Sequence, residues 1–350
     1  LSRFGIAETG IHDRTDFMAT IGSTPIFNTD EAVARLRRSV HPKAINFYSM
    51  YSSILGGIVT DPALMVLPLD DHMAHRGHAV FDTATLTHGM LYQLDPHLDR
   101  FLRSAAAARI ELPFPREELR RIILETAAAS GKRDGSVRYW LSAGPGGFGL
   151  GPAECVGSSF YVIVFKQEAY PDSYYTQGMK LVTSSVPIKP PFFARTKSTN
   201  YLPNVLVVLE AKDKGADNGI FIDQSGMVAE SSNMNVAFVT REGVFRHPPF
   251  EAILSGITIQ RVFEFAERLV KEGMLKEINL DEIPVAEGRQ AAEMMLIGSS
   301  IKVAPVVEWD SHPIGDGKPG PVTKRLLELW EEDTRFAMDQ LVPVPYPEGF

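Results

Sequence analysis

Cysteine is all but missing: Cys155 is the only one in 350 residues. An intrachain disulfide is therefore impossible, and a cysteine-rich metal site is excluded. No apolar run reaches the roughly 18 residues that a membrane-spanning helix needs. Basic runs are missing too, and the formal net charge is −8, so neither nucleic acid nor a membrane is an expected partner. Internal repeats and low-complexity tracts do not occur. The chain opens on Leu1 instead of Met, as expected of a processed or truncated product from which any transit peptide has been left out.

What remains is a globular composition, 44% apolar, with enough length for two domains or one large one. EAVARLRRSV reads as a short amphipathic helix in a turn-rich start. From Asn46 the pattern turns to short strands, NFYSMYSSILGGIV, PALMVLPL and HAVFDTATLTHGMLYQL, with Gly56-Gly57 and His88-Gly89 as hairpin turns. DPHLDRFLRSAAAARI predicts a helix capped by Asp95 with Pro96 at its first position. PREELRRIILETAAAS predicts a second, and GSVRYWLSAGPGGFGLGP a strand running into a glycine-rich loop. That loop lacks the GxGxxG or GxxxxGK[ST] spacing opening a helix, so it is no nucleotide cradle. HMAHRGH spaces His72, His75 and His78 three apart, but it reads as extended or looped without supporting acidic or cysteine ligands, and no metal is expected.

The stretch Lys189–Thr240 organises the rest. An extended, proline-containing opening leads to Lys197 and a helix capped by Asn200, with Pro203 in its first turn. Its apolar face is Leu202, Val205, Leu206, Leu209 and Ala211, and it stops near Gly215. NGIFID and VAESSNMNVAFV follow as β runs joined at Gln224-Ser225-Gly226, the second carrying the lone carboxylate Glu230. Taken singly, Lys197 and Glu230 would be ordinary solvated charges. Taken together they suit one chemistry: a desolvated lysine amine forms a Schiff base with an aldehyde, and a carboxylate keeps a pyridine nitrogen protonated. Downstream, Ser255-Gly256-Ile257-Thr258 opens a long amphipathic helix where free N–H groups suit an anion. AAEMMLIGSSIKVAPVVEWD is a strand reaching Gly298-Ser299-Ser300, and GPVTKRLLELWEEDTRFAMDQL a terminal amphipathic helix.

KSTNYLPNVLVVLEAKDKGADNGIFID and GMVAESSNMNVAFV resemble the signature of the fold-type IV (class IV) pyridoxal 5'-phosphate (PLP)-dependent aminotransferases, over roughly Tyr51–Pro305. MVLPLDDHMAHRGHAVFDTA, GSVRYWLSAGPGGFGLGP, KSTNYLPNVL and EMMLIGSS are most similar to plant chloroplast members of the D-amino-acid transaminase and aminodeoxychorismate lyase kind. The resemblance implies an α+β small domain and a larger α/β barrel-like domain with PLP between them. It divides the chain into an extension (1–46), a small domain (47–168), a linker (169–178) and a PLP-binding domain (179–350). It implies a homodimer, and a chloroplast location or otherwise a cytoplasmic one.

The same resemblance assigns roles. Lys197 is the Schiff-base lysine and proton carrier, Glu230 the partner of the pyridine nitrogen, and Tyr201 a hydrogen bond to the ring oxygen. Arg100, Thr258 and Ser299 hold the phosphate, with Asn233, Ile257 and Ser300 beside the cofactor. Arg138 and Arg76 are substrate candidates. The implied reaction moves the amino group of a D-amino acid such as D-alanine to a 2-oxo acid. Lyase cleavage of 4-amino-4-deoxychorismate to 4-aminobenzoate and pyruvate, or branched-chain L-amino-acid transamination, is the alternative. KSTNY is one residue shorter than the branched-chain KxGGNY pattern, which weighs against that alternative. The loop after Arg138 lacks the Arg-x-His pair of bacterial D-amino-acid transaminases, so carboxylate recognition differs from theirs.

Overall fold

The computed structural model describes residues 20, 21 and 23–349; the first part of the expected N-terminal extension lies outside the described residues. Alternating apolar residues build an antiparallel sheet in the N-terminal half. Among the described residues its strands run in the order 341–343, 90–92, 79–87, 135–142, 159–165, 47–52, 57–59. Ala79–Thr87 alternates, burying Val80, Asp82, Ala84 and Leu86 while Phe81, Thr83, Thr85 and Thr87 stay half open. Helices Leu94–Ala107 and Arg116–Ala129 close over the buried side, with Leu98, Phe101, Leu119 and Ile123 meeting Val137, Tyr139 and Phe160. The hairpin at His88-Gly89 has positive φ at both turn residues (50° and 81°), which suits its two-residue connection.

The C-terminal half is a mixed sheet curled into a half-barrel, ordered 228–231, 218–222, 179–183, 302–309, 293–298, 235–239, 244–247, 277–280. Strands 235–239 and 293–298 are buried throughout except at Gly298, as expected where both faces are covered. Helices Ile257–Lys271 and Pro321–Phe336 cover one face through Val262, Leu269, Leu326 and Trp330. The other face closes around Trp309, Phe238 and Leu296. The fold is thus an α+β unit and a larger α/β unit. Leu341–Pro343 leaves the second and joins the first by pairing with Met90–Tyr92. Among the described residues no helix is long and apolar enough to cross a membrane.

Several local expectations are corrected. PALMVLPL is a 3-10 turn, Pro62–Leu64, and not a strand. HMAHRGH is a one-turn helix, His72–Arg76, because Asp71 caps it through the Met73 N–H (2.8 Å) and Gly77 ends it at φ 63°. The helix expected from Asp95 starts at Leu94 with Gln93 as its cap, and Asp95 instead pairs with Arg116 and Arg120. Tyr201, not Asn200, caps Leu202–Asp213. The opening at Lys189 is less extended than its prolines suggest, since Pro191–Ala194 forms a helical turn. The run VAESSNMNVAFV breaks into two strands, Val228–Ser231 and Asn235–Val239.

Candidate functional site

A cavity of about 230 Å3 opens where the two units meet. Lys197 reaches it from a tightly pinned backbone. Its carbonyl accepts from Phe81 N–H (2.9 Å), its N–H donates to Ser104 Oγ (3.2 Å), and Ser198 bridges Val80. The segment after Lys197 is thereby laid along the strand Ala79–Thr87, which fixes where the amine can go. Nζ sits 3.3 Å from Tyr201 Oη and 4.7 Å from the centre of the Phe81 ring. Burial, helped by the Arg100 charge, pushes the amine down to about 8. On the order of a tenth of it is therefore neutral at pH 7, far more than for an ordinary lysine.

Glu230 lies in the middle of the buried strand Val228–Ser231 and is 7% exposed. Among the described residues its carboxylate receives one hydrogen bond, a long one from Leu254 N–H (3.4 Å), and burial pushes its carboxyl up to about 7. Such a carboxylate gains by meeting an N–H donor. Close by, Asn204 donates to the Ser232 carbonyl, while its own Oδ1 is buried without a partner.

At another part of the cavity Thr258, in the first turn of helix Ile257–Lys271, faces Ser299 hydroxyl to hydroxyl at 3.2 Å. Gly256 is required before that turn, because a Cβ there would collide with Asn235 Oδ1. Exposed N–H groups, the helix dipole and two hydroxyls together make an anion cup. Ile257, Asn233 and Ser300 line the same cavity.

Arg100 also lines it, but most of its guanidinium is already engaged. Nε and Nη2 donate to Asp82 at 2.9 and 2.8 Å, and Nη1 reaches the Ser255 carbonyl at 3.3 Å. His97 Nδ1 lies 2.8 Å from Asp82 Oδ1. Burial alone would raise the Asp82 carboxyl, yet Arg100 and His97 outweigh it and hold it far below the usual range. Burial likewise holds the His97 imidazole down, toward its neutral form.

Arg138 enters the cavity from strand Gly135–Ser142. Its Nε donates to Thr83 Oγ1 (2.9 Å), and its guanidinium lies 5.4 Å from the Phe81 ring centre. Arg76 is not brought there. Its guanidinium is spent on the carbonyls of Phe148 (2.7 Å) and Gly149 (3.3 Å), holding the glycine-rich loop. His72 and His78 approach through Nδ1 (3.3 Å), but among the described residues no group of His, Cys, Asp and Glu side chains converges on a metal position.

Two charged residues of this wall escape sequence reasoning. Lys189 lines the cavity with its amine 4.8 Å from the Tyr201 ring centre. No spacing rule marks a loop lysine. Asp82 did carry a signal: it is the one acid at an inward position of an alternating strand.

The donor set is specific. An amine poised for a carbonyl, a buried carboxylate held by one long hydrogen bond, and a cup for a dianion fit a phosphorylated pyridine aldehyde, and the unpartnered Asn204 Oδ1 on the same wall leaves a further polar atom for it to meet. Residues 79–309 match the family described as amino-transferase class IV. The chain is 51% identical to a chloroplastic D-amino-acid transaminase of Arabidopsis thaliana, over 93% of this chain and 86% of that one. It is 26% identical to a D-alanine aminotransferase of Bacillus licheniformis, over 78% and 93%. Among solved structures, a branched-chain amino acid aminotransferase from the organism abbreviated T.th., with pyridoxamine 5'-phosphate, superposes with a TM-score of 0.78 at 28% identity. That match covers 85% of this chain and 99% of the other.

Proposed function

The chain belongs to the class IV aminotransferase family, whose cofactor is PLP, and we propose that it transfers the amino group of a D-amino acid such as D-alanine to a 2-oxo acid. The observation that carries this is the meeting of the Lys197 amine and the Glu230 carboxylate in one cavity with an anion cup. The D-amino-acid assignment rests on the 51% identity to the Arabidopsis transaminase.

Bound PLP supplies an electron sink for the charge left on the substrate carbon. The residues do the rest. Lys197 would hold the cofactor covalently, and its amine, once free, would take the proton from the substrate α-carbon and return one. Tyr201, 3.3 Å from Nζ, orients that amine. Glu230 would accept the N–H of the ring nitrogen, a stronger bond for being buried. Thr258, Ser299 and the N–H groups of the helix start hold the phosphate. Arg100 contributes charge and what Nη1 has left, its fork being fixed by Asp82. Arg138 holds the substrate carboxylate.

We extend two further properties to this chain. A homodimer would cover Leu202, Val205, Leu206 and Leu209, exposed by 68, 51, 42 and 51% on a helix that packs through Asn204, Val207 and Ala211 instead. The chloroplast is the compartment printed in the Arabidopsis relative's name.

The test is steady-state turnover with a 2-oxo acid acceptor. D-alanine should yield pyruvate, and L-leucine should react far more slowly. Preference for L-leucine would shift the reading to a branched-chain enzyme. Inertness toward both, with release of pyruvate from aminodeoxychorismate, would shift it to the lyase.

A further inference from the structure

A second cavity, of about 340 Å3, backs onto the first through Arg100, Thr196 and Leu254. Its wall contains three arginines, Arg100, Arg103 and Arg195, and no Asp or Glu. Arg100 is neutralised by Asp82, whereas the guanidinium groups of Arg103 and Arg195 make no hydrogen bond or ion pair with the described residues. The remaining surface is largely apolar and includes Phe192, Phe250 and Ile253. Ser104, which also lines it, is the residue that receives the Lys197 N–H.

Guanidinium groups gathered in one concavity without counter-charge raise the local potential and draw in an anion. A planar fork fits a carboxylate in bidentate fashion, and flanking phenylalanines accept a flat apolar body better than water does. The volume lies at the small end of ligand pockets. We propose that this cavity is a second ligand site, separate from the amino-acid site, for a small aromatic carboxylate held by Arg103 and Arg195. The proposal does not depend on which amino acid the first cavity takes.

Occupancy should be felt in the first cavity. Arg100 forms part of both walls, and its Nη1 holds the Ser255 carbonyl just before the anion cup. A carboxylate in one cavity and a phosphate in the other are like charges on either wall of Arg100, so each weakens the other reciprocally.

Benzoate is the probe, titrated calorimetrically into the PLP-loaded protein. Saturable binding at one site per chain is expected, undisturbed by a saturating amino-acid substrate. Acetate and benzyl alcohol, each lacking one half of the recognition, should bind at least about tenfold more weakly. Arg103→Gln/Arg195→Gln, both at exposed positions, should lose about tenfold in benzoate affinity while keeping the melting temperature and the cofactor absorbance. Benzoate should bind the PLP-free protein more tightly than the loaded one, and equal affinities would remove the link through Arg100. No saturable binding, displacement by substrate, or undiminished binding by the double variant would overturn the site. Equal binding of acetate would overturn the aromatic class.

Discussion

Replacing Asp82 with Asn should destabilise the protein far more than so small a change of shape suggests. Asp82 is fully buried and accepts two charge-assisted bonds from Arg100, at 2.9 and 2.8 Å, and one across 2.8 Å from His97. Asn keeps the shape but removes the charge and, even in its better orientation, turns an NH2 group toward the Arg100 Nε donor. Removing one partner of a buried pair leaves the other uncompensated, at about 3–5 kcal/mol. Because the folded Asp82 carboxyl is depressed, its contribution is complete above the unfolded value of about 3.9 and is lost as pH falls through it toward the folded value. Urea denaturation of the two proteins at several pH values measures this directly. The gap should be full near pH 7 and should shrink only in acid. Asp82→Leu/Arg100→Met, which removes both charges, should regain much of the stability while losing affinity for PLP. A gap below about 1 kcal/mol for Asp82→Asn, or one unchanged at low pH, would refute the reasoning.

Three further outcomes follow, two from the cavity and one from the exposed face of helix Leu202–Asp213. The rate at which the PLP-free protein captures PLP should rise with pH through about 8, as the Lys197 amine becomes neutral; a flat profile from pH 6 to about 9 contradicts a lowered lysine. Arg138→Ala should lower kcat/KM for D-alanine by about 10–100-fold, the worth of one charged hydrogen bond, with unchanged cofactor absorbance; an unchanged kcat/KM removes Arg138 from carboxylate binding. Leu209→Glu should dissociate the proposed dimer in sedimentation, and an unaltered mass would place any interface elsewhere.

Much of this was legible because the signals were local. The hairpin at His88-Gly89, the helix Arg116–Ala129 and the helix start at Ile257 follow from turn residues and apolar period alone. Lys197, Glu230 and Thr258, which line one cavity, could be proposed because their order in the chain follows the family signature. What escaped depended on contacts distant in sequence. The face of Leu202–Asp213 was misread because the helix buries the stripe Asn204, Val207 and Ala211, leaving its larger apolar side chains outward. Periodicity gives a face but does not say which one meets the protein's own sheet. Arg76 shares its residue type with Arg138 but spends its donors on loop carbonyls. The return of Leu341–Pro343 to the first sheet is a three-residue pairing that no run of apolar residues announces.

The most direct measurement is a single half-reaction. PLP-loaded protein without acceptor is mixed with D-alanine, and its visible spectrum and the pyruvate released are followed together. One pyruvate per chain, with conversion of the cofactor to its amine form, is predicted for the wild type, and none for Lys197→Ala. Pyruvate formed at an undiminished rate by Lys197→Ala, or no spectral response of the wild type to D-alanine, would contradict the account.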